Sequence, residues 1–269
     1  MSKRDHHSSR RGKTALPSMA WTGAGGGART EAFLVGAQSY SFRKFDFEGS
    51  IRQLKDLGLA CMEFCAVHFP PDAGHAGFES VKAAIKKAGV QVPCYGVEGF
   101  TGDEKANRRK FVFAKALGIQ ILTADPAPDA FDILDRLCEE FDIKIAIHNH
   151  GPGARYDTAE DTLKAVKGHS PLIGACVDTG HAIRSRERPE EVIERLGNRV
   201  ISVHLKDWVA GGEEQIRGEG DLDLEAVAAA LKAVAFKGSV IMEYENTPEN
   251  PVPDMRQGLA NWRKAVQGV

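Results

Sequence analysis

No run of apolar residues in this chain approaches the length that crosses a bilayer, which excludes a transmembrane helix. Cysteine is scarce and shows no framework. Cys61, Cys65, Cys94, Cys138 and Cys176 make an odd count in 269 residues. None stands at zinc-ribbon spacing, and Cys61-x-x-x-Cys65 alone makes no site. Four of the five lie in apolar surroundings, where cysteine serves as a small core residue. A reducing, cytoplasmic compartment is therefore expected. Charge of one sign is lacking too: 35 Lys and Arg stand against 37 Asp and Glu, a formal net charge of −2. Without a basic excess, a nucleic-acid partner is not expected. No Gly-rich phosphate loop follows the first β-type run, which argues against a doubly wound nucleotide-binding sheet. No short repeat and no internal domain boundary is found.

Residues 1–30 differ from the rest. They are basic, then rich in Gly and Ala, with no hydrophobic period. A disordered tail is expected. The alternative is a twin-arginine-like export signal, since Arg10 and Arg11 precede a mildly apolar Ala/Gly stretch that Pro17 interrupts.

From Phe33 a rhythm sets in. FLVGAQSYS, ACMEFCAV, VQVPCYGV, IQILTADP, IKIAIHNH, LIGACVDTGH, VISVHLKD and GSVIMEYE are β-type runs. Each is followed by an amphipathic helical stretch, with strand ends roughly 25 to 40 residues apart, the spacing of βα units. Gly58, Gly89, Gly118, Gly168 and Gly197 stand where helices stop. The runs are rich in Ile, Val, Ala and Cys, as strands covered on both faces are. Eight such units over residues 31–269 predict a single α/β domain, a (β/α)8 TIM barrel.

A barrel of this kind carries its chemistry at the C-terminal ends of its strands. The first run offers Gln38, Tyr40, Ser41 and Arg43 there. The second offers Glu63, with His68 in the loop; the third offers Tyr95 and Glu98; the fourth offers Thr123 and Asp125. The fifth ends His148-Asn149-His150. The sixth ends at Asp178, with His181 one turn on. The seventh carries His204, Lys206 and Asp207, and the eighth Glu243 and Glu245. Residues two apart on a strand face the same side, which pairs His148 with His150, His204 with Lys206, and Glu243 with Glu245. His, Asp and Glu converging from four consecutive strands form a nitrogen and oxygen donor set suited to one divalent ion, Mn, Zn, Co or Mg.

Plainer roles compete. Asp178 before Thr179-Gly180 is also turn and helix-capping chemistry. Glu63 and Glu98 are equally suited to ion pairs with Arg43 or a lysine, and Asp207 to capping a turn. The concurrence of Asp178, His204 and Glu243 on three successive strands favours metal.

GAQSYSFR, AIHNHG, CVDTGHA, SVHLKD, GEGDLDL and VIMEYE, in that order, resemble the xylose isomerase-like TIM barrels. That superfamily of sugar phosphate isomerases and epimerases also includes the apurinic endonucleases. The resemblance runs from about Phe33 to the C-terminus. It implies a divalent metal held by an acidic residue of strand five, by Asp178, by His204 and by Glu243, the last preferred over Glu245. Strand five departs from the pattern: His148 stands where many members have Glu, so the implied ligands are His148, Asp178, His204 and Glu243, with His150 the alternative to His148. An imidazole there gives a softer site with one less negative charge.

The implied activity is isomerisation or epimerisation of a sugar or keto-sugar, phosphorylated or not. A proton moves beside a carbonyl through an enediolate. His148, Glu243, Lys206 and His181 are the candidate catalytic groups. Glu63, His68, His150, Arg217 and Glu245 are the candidates for holding the carbohydrate, and the GEG loop is expected to bring Glu219 near the mouth. The same proton removal suits a lyase or dehydratase acting on an oxidised sugar. An apurinic endonuclease-like phosphodiesterase would place an extra His in the GEGDLDL loop, which is missing here. A non-catalytic sugar-binding barrel is the remaining reading. Homo-oligomers are common in the family and are one expectation here.

Overall fold

The computed structural model describes residues 32–269. The tail and export readings of residues 1–30 lie outside them. Eight parallel strands make one sheet: β1 (Leu34–Gln38), β2 (Met62–Glu63), β3 (Cys94–Phe100), β4 (Ile121–Pro126), β5 (Lys144–His148), β6 (Ile173–Asp178), β7 (Val200–Leu205) and β10 (Ser239–Met242). Their order is β2-β1-β10-β7-β6-β5-β4-β3. Single bridges from Cys61 to Gln91 and from Phe64 to Tyr95 join the two edges, so the sheet nearly closes. Helices α1 (Phe47–Asp56), α2 (Phe78–Ala88), α3 (Glu104–Leu117), α4 (Phe131–Phe141), α5 (Ala159–Val166), α8 (Leu224–Ala233) and α9 (Val252–Gln267) follow seven of the strands. This is the TIM barrel that the eight βα units predict.

Local chemistry sets the helix ends. Asp46, Asp103 and Asp223 each accept a main-chain N–H of the first turn, satisfying donors that no carbonyl reaches. Gly118 ends α3 at φ +80°, a left-handed conformation that costs glycine little.

Three expectations need correcting. The second run is a strand over two residues only, Met62–Glu63, flanked by the single bridges. Strand six is followed by two helices, α6 (Thr179–Arg184) and α7 (Pro189–Leu196). Pro189 starts α7 because its fixed φ suits a first helical position, and it holds Arg188 extended, which breaks continuity with α6. The eighth run stops at Met242, leaving Glu243 to Glu245 beyond the strand. The polar loop after strand seven also holds an unforeseen antiparallel hairpin, β8 (Asp207–Trp208) with β9 (Glu214–Gln215).

Alternation along the strands sorts the interior into layers. Cys61, Cys94, Ile121, Ala146, Cys176, Ile201 and Ile241 form an apolar cluster of their own inside the barrel. Their neighbours in sequence, such as Leu122, Ile145, Ile147, Ala175, Val177 and Val240, belong to the larger core under the helices. At Gly36 a Cβ would stand 2.7 Å from the Cys61 sulfur and 2.9 Å from Ile241 Cδ1, so β1 meets this layer with no side chain. Burial pushes the Cys61, Cys94 and Cys176 thiols up, and they remain neutral packing groups.

Two residues further along the strands the interior turns polar: Gln38, Glu63, Thr123, His148, Asp178 and Glu243. On β7 the register with β6 shifts by one residue between Ala175 and Cys176. That bulge lets Ile201 and His204, three apart, both face inward and sets His204 opposite Asp178.

Candidate metal centre and active site

Four buried side chains meet above the apolar layer. One ligand atom from each of His148, Asp178, His204 and Glu243 lies within 4.8 Å of the others. His148 Nε2 is 3.1 Å from His204 Nδ1 and 3.5 Å from Asp178 Oδ2. His204 Nδ1 is 3.1 Å from Glu243 Oε2, and its Nε2 is 3.0 Å from Glu63 Oε2. Glu63 thus fixes the imidazole that faces the cluster, a pairing that orients and strengthens a ligating histidine.

The strand ends explain the placement. Asp178 N-caps α6, its Oδ1 accepting the His181 N–H at 2.7 Å. Asn149 brackets the same residue, donating to its carbonyl at 3.0 Å and accepting its N–H at 2.8 Å. With Oδ1 committed to the helix, Oδ2 is left buried and without a hydrogen-bond partner, aimed at the cluster. The capping role and the ligand role of Asp178 therefore coexist, one on each oxygen.

A divalent ion fits this donor set. Two ring nitrogens and two carboxylate oxygens make a mixed set that suits a first-row ion, and the orphaned Oδ2 lacks only a cation. The charge state of each group follows from its surroundings. Burial lowers His148 to about 4, keeping it neutral with a lone pair to give. Burial would raise Asp178 and Glu243, but His181 and the Lys206 ammonium beside the first, and Lys206 and His204 beside the second, hold both well below the usual carboxylate range. Burial likewise opposes a charge on His204, yet Cys176, Glu63 and Glu243 around it hold its pKa well above the ordinary value, so a bound cation would take the place of the proton on Nδ1. The cluster is anionic and draws positive charge to its centre.

The other expected groups fall into two sets. Lys206 is buried, with Nζ 3.9 Å from Glu243 Oε2 and hydrogen-bonded to Glu245 Oε1. Burial opposes its charge, but Glu243, Asp178 and Glu245 outweigh it and keep the ammonium protonated. His150 and His181 stand at the rim, their ring centroids 4.6 and 5.7 Å from that of His148. His68 is half-buried, its Nδ1 3.1 Å from Ser39 Oγ, and burial lowers its pKa. Glu63 lies beneath the cluster, fully buried.

Arg217 is also fully buried. Its Nε donates to the Leu205 carbonyl at 3.2 Å and its Nη2 to that of Glu243, with the guanidinium over the Tyr244 ring. Those contacts position Glu243 from behind. Glu219 is exposed and pairs with Gln257 on α9. Asp207 organises the GEG loop: its two oxygens accept the N–H groups of Trp208, Gly218, Gly220 and Leu222 at 2.7 to 3.0 Å. The turn-capping alternative for Asp207 is the one its contacts match.

Two residues that sequence reasoning passed over border the site. Glu214 of the hairpin is buried and accepts the N–H groups of Glu245 and Asn246 at 2.9 and 3.1 Å. Burial pushes it up to about 7 against Lys206 and Arg217. Arg184 closes α6 over the mouth. No hydrophobic period marks the polar loop holding Glu214, and Arg184 sits at a helix end like any solvated basic residue, so neither gave a signal.

A model of the xylose isomerase-like TIM barrels matches residues 51–265. Among curated proteins, the chain is similar to the inosose dehydratase of Clostridium beijerinckii, 29% identical over 139 residues. That match covers 45% of this chain and 46% of the relative, so the chain spans about half the length of that relative. It is also similar to the 3-oxo-isoapionate decarboxylase of Pectobacterium atrosepticum, 23% identical over 227 residues, covering 77% of this chain and 80% of the relative. Among solved structures, the 3-keto-D-glucoside 4-epimerase of E. coli superposes with a TM-score of 0.68 at 17% identity, over 86% of this chain and 99% of that one. At that identity the likeness is one of fold.

Proposed function

The chain belongs to the xylose isomerase-like TIM barrel family, and on that premise we propose that it is a divalent-metal-dependent enzyme acting on a small keto-sugar or keto-cyclitol. The proposed reaction removes the proton beside the carbonyl and then expels a neighbouring hydroxyl as water. His148, Asp178, His204 and Glu243 would hold the ion, which when bound supplies a Lewis acid for a carbonyl and its adjacent hydroxyl. Manganese, cobalt or zinc suits two imidazoles better than magnesium does. The four side chains hold their donors in place before substrate arrives, which is the preorganisation such catalysis needs.

The observation that carries the choice of elimination is the identity of the strand-five group. Moving a proton from one face of a carbon to the other is served by two bases. Here strand five presents the imidazole of His148 in place of a second carboxylate base, and Glu243 stands beside the ammonium of Lys206, which Glu245 also holds. One base and one acid suit elimination. Glu243 takes the C–H proton, and the bonding pair moves toward the carbonyl as an enediolate. The C–O bond on the next carbon breaks, and the leaving hydroxide takes a proton from Lys206 and departs as water. The proton on Glu243 passes to Lys206, 3.9 Å away, and both groups are restored. His181 and His150, at the rim, are placed to hold substrate hydroxyls. The inosose dehydratase relative points the same way.

Epimerisation is the second reading, favoured by His150, a half-buried imidazole with its ring 4.6 Å from that of His148. Incubation of Mn²⁺-loaded protein with keto-sugars and keto-cyclitols in D₂O, followed by NMR, separates the two. Loss of water without inversion is expected. Deuterium at an inverted carbon would favour the second reading, and neither exchange nor water loss across the panel would contradict both.

A further inference from the structure

The rim of the mouth carries a guanidinium that no carboxylate answers among the described residues. Arg184 is half-buried at the end of α6, and its guanidinium reaches back to His181 at the rim. Its guanidinium carbon lies 4.9 Å from the Trp208 ring, and its Nη1 donates to His181 Nδ1 at 2.8 Å. It is packed so closely on the end of strand five that a Cβ at Gly151 would stand 2.7 Å from the guanidinium carbon. Three elements therefore fix the group: α6, the loop after β5 and the hairpin after β7.

Among the described residues no carboxylate lies within ion-pair distance of it; Arg43, Arg199 and Arg217 lack one too, but their donors reach main-chain carbonyls. Only Nη1 is spoken for, which leaves the Nη2 and Nε donors of the planar fork. With Nδ1 accepting from Arg184, the His181 imidazole carries its proton on Nε2 and is a second donor. The His181 ring centroid is 5.7 Å from those of both His148 and His150.

We infer that Arg184, with His181, is an anion-binding lip that selects a keto-sugar bearing a carboxylate or a phosphate at the end remote from the reacting carbon. A rigid, half-desolvated guanidinium with its fork unfilled matches the planar, bidentate geometry of those groups. The stacking on Trp208 holds the fork in place before substrate arrives, so little ordering is needed on binding. The inference rests on the proposed function for the position of the reacting carbon. The anion site itself stands on the geometry of Arg184.

The test measures binding, which does not require the reaction. Mn²⁺-loaded full-length protein is titrated by calorimetry with D-gluconate, D-glucitol 6-phosphate and D-glucitol. Wild type is expected to bind one of the anions roughly 10- to 100-fold more tightly than glucitol, the worth of a charge-assisted bidentate pair. The anion preferred identifies the source of the charge. Arg184→Gln is expected to bring that ratio to within about threefold. Arg184→Lys, which keeps the charge and loses the fork, should lower it about tenfold, and it serves alone if the Gln variant does not fold. No preference for either anion in wild type, or a preference that survives both substitutions, would overturn the inference. An anion preference that depends on Arg184 without turnover in D₂O would sink the reaction and leave the lip standing.

Discussion

The two halves of the barrel mouth spend their polar residues differently. At the ends of β1 to β4, several groups are answered within the fold, although Glu63 Oε1, His68 Nε2 and Thr123 Oγ1 are buried without a partner. Gln38 donates to the Gly96 carbonyl, Tyr95 to that of Phe69, Glu98 pairs with Lys110 at 2.7 Å and Asp125 with Arg155 at 3.1 Å. At the ends of β5, β6, β7 and β10, His148, Asp178, His204 and Glu243 face one another, and Asp178 Oδ2 has no hydrogen bond at all. The sequence offers both halves similar residues. What separates the halves is that the second gathers four donor groups around one point. Glu63 alone crosses over, buried in the first half yet fixing His204 in the second.

The sharpest break of that contrast is at Asp178. Asp178→Asn keeps a side chain able to cap α6 but lowers its charge at the cluster. Metal content should fall toward zero and turnover by about a thousandfold, since the ion's stabilisation is worth several kcal/mol. Elemental analysis and rate measurements on the folded variant check both. Glu63→Gln acts through His204 and should weaken metal affinity by about 10- to 100-fold, read by competition with a chelator.

Glu214 tests the hairpin that borders the active half. Burial raises its folded pKa to about 7 from 4.5, so the folded state holds the proton more tightly than the unfolded one. Its contribution is fully present below the unfolded pKa and is lost as pH rises through that window. Glu214→Gln, which cannot ionise, should therefore gain stability relative to wild type between roughly pH 4.5 and 7, by up to about 3 kcal/mol. Denaturant melts at several pH values measure it, and a difference that stays constant with pH would contradict the assignment. The smallest effect belongs to the first half: Asp125→Asn removes a half-exposed ion pair and should cost at most about 1 kcal/mol, with turnover within about twofold.

Local patterns carried most of the fold. Alternation along IKIAIH and LIGACVD, glycines at helix ends and Asp caps are short-range signals, and they placed His148, Asp178, His204 and Glu243 at one mouth. What escaped was set by contacts distant in sequence. Glu214 acquires its meaning from the N–H groups of residues 245 and 246, and Arg184 from Trp208 and Gly151. Arg217 was expected at the substrate because it precedes the GEG loop, but its donors reach main-chain carbonyls of β7 and of residue 243. Charge and position near a loop do not reveal which way a side chain turns. The split between α6 and α7 was written in Pro189, a breaker that a count of one helix per strand overlooked.

His148, Asp178, His204 and Glu243 are proposed to hold one divalent ion. Equilibrium dialysis of chelator-stripped protein against Mn²⁺ tests it most directly, with Asp178→Asn and Asp125→Asn in parallel. One ion per chain in wild type and in Asp125→Asn, and none in Asp178→Asn, is the predicted result. Wild type that binds no ion, or an Asp178→Asn variant that binds as wild type does, would contradict it.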